Sequence, residues 1–145
     1  MSAADERGSA MVEFLGATLI LLVPLVYLVV TLGRVQAGAF AAEGAAREAV
    51  RAMVSAESSA TGAARADLAV GIALADQGFA REDGTLTLEC SAAPCLKPGG
   101  TVGAVVRVEV SLPLVPEALE RWLPLAVPVE ASRTAPLDAY VEPRP

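Results

Sequence analysis

The chain has 145 residues, 54% of them hydrophobic, and carries a net charge of −6 from 17 acidic and 11 basic side chains. That size and composition suit one membrane segment plus one small domain. An acidic chain with scattered cations argues against nucleic acid as a partner, and a sequence without histidine has no imidazole for a general base, a triad or a metal site.

Residues 1–8 are a short polar leader with Asp5, Glu6 and Arg7. Residues 14–33 then run for 20 positions without a charge. As a helix rising 1.5 Å per residue they reach about 30 Å, the thickness of a hydrocarbon core. Pro24 sits mid-run, where a membrane helix tolerates it as a kink. The Ala-rich residues 34–54 continue the helix, supported by Glu43 with Arg47 (i,i+4) and Glu48 with Arg51 (i,i+3). Gly33, Ala37, Ala41, Ala45 and Ala49 recur every fourth residue. They form a narrow seam where another helix can come close, although a compositional bias toward alanine gives the same pattern.

Residues 55–62 read as a linker and 63–78 as a second helix, with Leu68, Ile72 and Ala75 as its apolar face and Gly78 as its stop signal. Residues 85–90 alternate polar and apolar like a half-buried strand. A loop with Pro94, Pro98, Gly99 and Gly100 follows, and 102–112 is the best strand, with Val106, Val108 and Val110 on one face and Arg107, Glu109 and Ser111 on the other. Prolines leave room for a short helix at 116–123, residues 127–134 suit a third strand, and the tail from 136 is irregular. The expected fold is α+β: a long N-terminal helix, apolar then amphipathic, a short second helix, and an antiparallel sheet of about three strands covered by the alanine face. The expected division is a leader at 1–8, the long helix at 9–54 with its span at 14–33, and a small domain at 55–145.

Cys90 and Cys95 are spaced C-x4-C. Two thiols without histidine are too few for zinc, and the spacing is not the C-x-x-C of a thioredoxin-like site. A small disulfide loop in an oxidising compartment is the plain reading, with two free thiols as the alternative. Nucleophilic catalysis has no G-x-S-x-G and no phosphate loop to build on; Pro98, Gly99, Gly100 and Thr101 form a turn signal. Asp67, Asp76, Glu82 and Asp83 read as solvated surface, and Trp122 beside Arg121 as the cap of a small core.

The most informative stretch is Glu6-Arg7-Gly8-Ser9-Ala10-Met11-Val12-Glu13-Phe14. A lone carboxylate stands at the mouth of the apolar run, where partial transfer into hydrocarbon costs up to roughly 3 kcal/mol by insertion scales, so it marks a functional position. This junction resembles the processing site of type IV pilin-like proteins, and most closely the TadE-like minor pilins and pseudopilins of tight-adherence (Tad/Flp) systems. The resemblance covers residues 7–51. It implies cleavage by a prepilin peptidase between Gly8 and Ser9, leaving Glu13 fifth and Phe14 sixth in the mature chain. It further implies that Glu13 sets subunit register by meeting the new α-amino group of a neighbour. The implied partners are other pilin-like subunits, the Tad assembly machinery, the peptidase and the membrane, with no cofactor, metal or small-molecule substrate and no reaction of the protein's own.

A rival cut after Ala37 fits the small-x-small pattern at Val35, Gln36 and Ala37. It is opposed by Arg34, by an acidic leader, and by an apolar run longer than the roughly 7–15 residues of a signal peptide. Charge alone favours a cytoplasmic C-terminus, because Arg7 precedes the span while Arg34, Arg47 and Arg51 follow it. The leader and the cysteine pair favour the opposite, an extracytoplasmic domain, which is the orientation expected here. A membrane-anchored extracytoplasmic binding module unrelated to pili is the alternative function.

Overall fold

The computed structural model describes the backbone of residues 3–113, 115 and 125–140, with side chains from residue 10 onward. In chain order it has α1 (Ala3–Val54), α2 (Ser59–Asp76), a 3-10 turn (Arg81–Asp83), β1 (Gly84–Cys90), β2 (Thr101–Ser111) and β3 (Ala126–Pro136). The α+β class is the one expected. The short helix expected at 116–123 and the Arg121–Trp122 pair lie outside the described residues. The chain forms two compact units, Met1–Gly33 and Arg34–Pro145.

The described residues of the first unit are all helical. Large apolar side chains face outward all round it, among them Ile20, Leu21, Leu25 and Leu28. A helix apolar on every side is compatible with a hydrocarbon solvent. It is long and apolar enough to cross a membrane.

The second unit is a helical hairpin on a sheet. The strands lie in the order β1-β2-β3, both pairings antiparallel. Val102, Ala104, Val106, Val108 and Val110 of β2 are fully buried on one face. Their register partners on that face are Leu86 and Leu88 of β1 and Val127, Val129, Ala131 and Ala135 of β3. Thr85, Thr87, Arg107 and Glu130 alternate onto the opposite, wetter face, as a period of two requires. The valine face joins one core with Ala41, Ala42, Ala45, Ala46, Ala49, Val50 and Met53 of α1. The alanine seam is therefore spent inside the molecule: Ala41, Ala45 and Ala49 are buried in this chain's own domain.

Close approach dictates which residues can sit at these seams. A Cβ on Gly38 would run into the Val110 side chain. A Cβ on Gly62 would stand 2.8 Å from Met53 Sδ and 3.1 Å from the Ala56 Cβ. This corrects the expected face of α2. The buried stripe is Gly62, Ala66, Val70 and Leu74, whereas Leu68 and Ile72 are 68% and 65% exposed. Larger side chains at the Gly62 and Ala66 positions would hold the hairpin apart, so small residues take the inside.

The limits of α2 also differ from expectation. The helix starts at Ser59 because the Ser58 hydroxyl accepts a hydrogen bond from the Thr61 backbone N–H at 3.2 Å, an N-cap that shortens the linker. At the other end Gly78, at φ +74, lies beyond a C-cap at Gln77. The Phe79 N–H donates to the Leu74 carbonyl and the Gly78 N–H to that of Ala75, both at 3.0 Å. This is the glycine-ended pattern that satisfies orphan carbonyls. Neither of the two intrahelical ion pairs expected in α1 is among the described ion pairs: Glu43 instead meets Arg133 of β3 at 3.3 Å, and Glu48 and Arg51 form none.

The two helical glycines provide a matched test. Gly38→Ala should lower stability by about 1–3 kcal/mol through overpacking against Val110. Gly44→Ala adds a Cβ with nothing within 4 Å and should raise stability by about 0.5–1 kcal/mol. Thermal unfolding of the full chain in detergent reads both shifts, which must have opposite signs.

Candidate functional site

The candidate site is the charged mouth of the apolar helix. Gly8 and Ser9 are helical in their backbone, within the first turns of α1. One turn later Glu13 is exposed between Val12 and Phe14, which are 71% and 70% exposed. Glu13 is the one charged residue between Ala10 and Gly33, and among the described residues it has no ion-pair partner. Position 9 lies four residues before Glu13, so the two share a helix face.

The next charge along the chain, Arg34, has a role that sequence reading missed. Its guanidinium lies over the Phe79 ring, 4.5 Å from the centroid. One nitrogen also approaches the Gly78 carbonyl at 3.5 Å. The cation thus sits at the C-terminal end of α2, where carbonyl dipoles favour positive charge. No local signal links residue 34 to residues 78 and 79. Only the tight Gly38 crossing brings them together, for Phe79 also lies 3.6 Å from a Cβ placed on Gly38.

Cys90 and Cys95 are joined in a disulfide, their Cα atoms 5.1 Å apart. The bond closes the start of the β1–β2 loop, which is tied further by the Thr101 N–H donating to Ser91 Oγ at 2.7 Å and the Leu137 N–H to the Gly100 carbonyl at 2.8 Å. Leu96 plugs the loop into the core. The bond lies well away in sequence from the charged mouth and holds the far end of the sheet.

Two of the remaining carboxylates have structural partners. Asp67 pairs with Arg81, and Asp83 Oδ2 accepts from the Ala80 N–H at 2.8 Å. Among the described residues no group of three or more Cys, Asp or Glu side chains is placed to hold a metal ion. A shallow cavity of about 270 Å³ over Gly103, flanked by Glu89 and Thr134, brings together no pair of groups suited to acid–base chemistry. Compared with known proteins, the chain matches no family model, no curated protein and no solved structure.

Two outcomes follow from these contacts. Arg34→Ala should cost about 1 kcal/mol, and Arg34→Lys should recover part of it. Replacing both cysteines by serine should cost about 2 kcal/mol, the loop-closure value for so short a ring. Chemical denaturation with and without reductant checks the second, since reductant should weaken the parent chain and leave the double variant unchanged.

Proposed function

We propose that this protein is a TadE-like minor pilin or pseudopilin, a single-pass subunit that helps to assemble a Tad/Flp-type pilus. The observation that carries the reading is Glu13: one exposed carboxylate, five residues after Gly8, at the entrance of a helix otherwise apolar from Ala10 to Gly33. A prepilin peptidase cuts after Gly8. The freed α-amino group of Ser9, with a pKa near 8, is cationic at neutral pH and answers the Glu13 carboxylate of a neighbouring subunit. Charge pairing at the membrane surface then fixes register between subunits.

The apolar residues 14–33 anchor the chain and form the lateral contacts, because the alanine seam from Ala41 to Ala49 is occupied by the chain's own sheet and second helix. The domain from Arg34 onward is extracytoplasmic, which suits its disulfide. The rival cut after Ala37 would fall inside α1, directly before a Gly38 that is buried against Val110. The subunit catalyses nothing; its partners are other pilin-like subunits, the assembly machinery and the peptidase.

Glu13→Ala tests this directly. The variant should insert in the membrane and keep the parent's unfolding midpoint, since Glu13 lies outside the Arg34–Pro145 unit and makes no ion pair among the described residues. Surface pili should nevertheless be lost or reduced by at least about tenfold, the size of one unpaired charge of roughly 1.4 kcal/mol or more. Unchanged piliation would reject the register role.

A further inference from the structure

We propose that the open edge of β3, together with an arginine-rimmed groove beside it, takes an extended, carboxylate-bearing peptide segment of another protein as a fourth strand. β3 pairs with β2 along its whole length, and no described strand pairs with its other side. Half of a strand's N–H and C=O groups point to each side. None of the described turn, loop or cap hydrogen bonds uses residues 126–136. Pro128 and Pro136 blunt the two ends of this edge. Between them residues 129–135 are long enough for a strand partner; the Ser132 carbonyl there accepts from its neighbour Arg133 at 3.1 Å, a bond an incoming strand would replace.

The groove lies between the last turns of α1 and this same edge. It encloses about 350 Å³, with Val50, Val54 and Ala135 as an apolar floor and Arg47, Arg51 and Arg133 around the rim. The last turns of α1 thus form one wall of the groove and β3 the other. Three cations converge there on a chain whose net charge is −6. Arg133 reaches Glu43 at 3.3 Å, while Arg47 and Arg51 have no ion pair among the described residues.

The periodicity completes the match. Arg133 and Ala135 sit two residues apart on the core face of β3. A strand laid alongside places its same-face side chains directly opposite, about 4.5–5.5 Å away. A carboxylate would meet the arginines and an apolar side chain would fill the floor. Backbone pairing gives affinity and these side-chain positions give selectivity, as in other strand-addition complexes. Single-stranded nucleic acid would want aromatic platforms, and no aromatic side chain lines this groove.

The test uses the full chain in nanodiscs of zwitterionic lipid. The probes are a fluorescein-labelled short peptide with glutamate and valine at successive same-face positions and threonine between them (Glu-Thr-Val-Thr repeats), its counterpart with lysine in place of glutamate, and glutamate peptides N-methylated on one or the other alternate set of amides. The glutamate peptide should bind saturably, weaken in high salt, and weaken by roughly tenfold or more in the R47E/R51E double variant. One N-methylated set should abolish binding and the other should spare it, a readout that does not depend on the variant folding. The proposal is overturned if the glutamate peptide shows no saturable binding, if the lysine peptide binds equally, or if both methylated sets bind like the parent. Arginine-dependent capture of anionic vesicles without peptide binding would equally overturn it, assigning the groove to a lipid surface instead.

Discussion

Everything in the domain depends on how closely α1 can lie against the valine face of β2. Ala41, Ala42, Ala45, Ala46 and Ala49 present little more than backbone and methyl groups. Gly38 presents no side chain at all where Val110 passes. Small residues let many atoms come into dispersion contact at short range, and the resulting interior has no slack. Arg34 over Phe79, the glycine-ended α2 and the Gly62 crossing at Met53 all follow from that one approach. A larger residue at Gly38 would press on Val110 and on Phe79, the ring beneath Arg34.

The same constraint divides the labour of α1. From Arg34 to Val54 its small side chains are committed to the chain's own core. From Ala10 to Gly33 its large apolar side chains have no protein to cover them. Association with other subunits, on the proposed reading, therefore falls to the apolar residues and to Glu13. The domain keeps a separate surface for other contacts, the β3 edge and its arginines. On the two proposals, assembly and recognition use different residues and can be altered independently.

Much of this was legible from sequence where the signal was local. The apolar run at 14–33, the alternation in 85–90 and 102–112, and the Gly78 stop all correspond to observed elements because each depends on short-range periodicity or turn chemistry. The face of α2 was misread for the opposite reason. Leu68 and Ile72 have the right spacing and the right hydrophobicity, yet the inside is set by clearance against Met53, a long-range property. The Ser58 cap was visible in the residues as Ser-x-x-Thr but was hidden in a stretch that reads as linker. Glu43 leaves its i,i+4 partner for Arg133, some 90 residues away, which no local rule anticipates. The charged mouth is a purely local signal, one carboxylate set against an uncharged background, and the structure shows that carboxylate exposed at the start of the apolar run.

The most direct measurement is the intact mass and N-terminal sequence of the protein extracted from membranes, in cells with and without an active prepilin peptidase. A chain beginning at Ser9 only when the peptidase is present is the result expected of a pilin-like subunit. A chain beginning at Gly38, or one that keeps residues 1–8 in both strains, would contradict that reading.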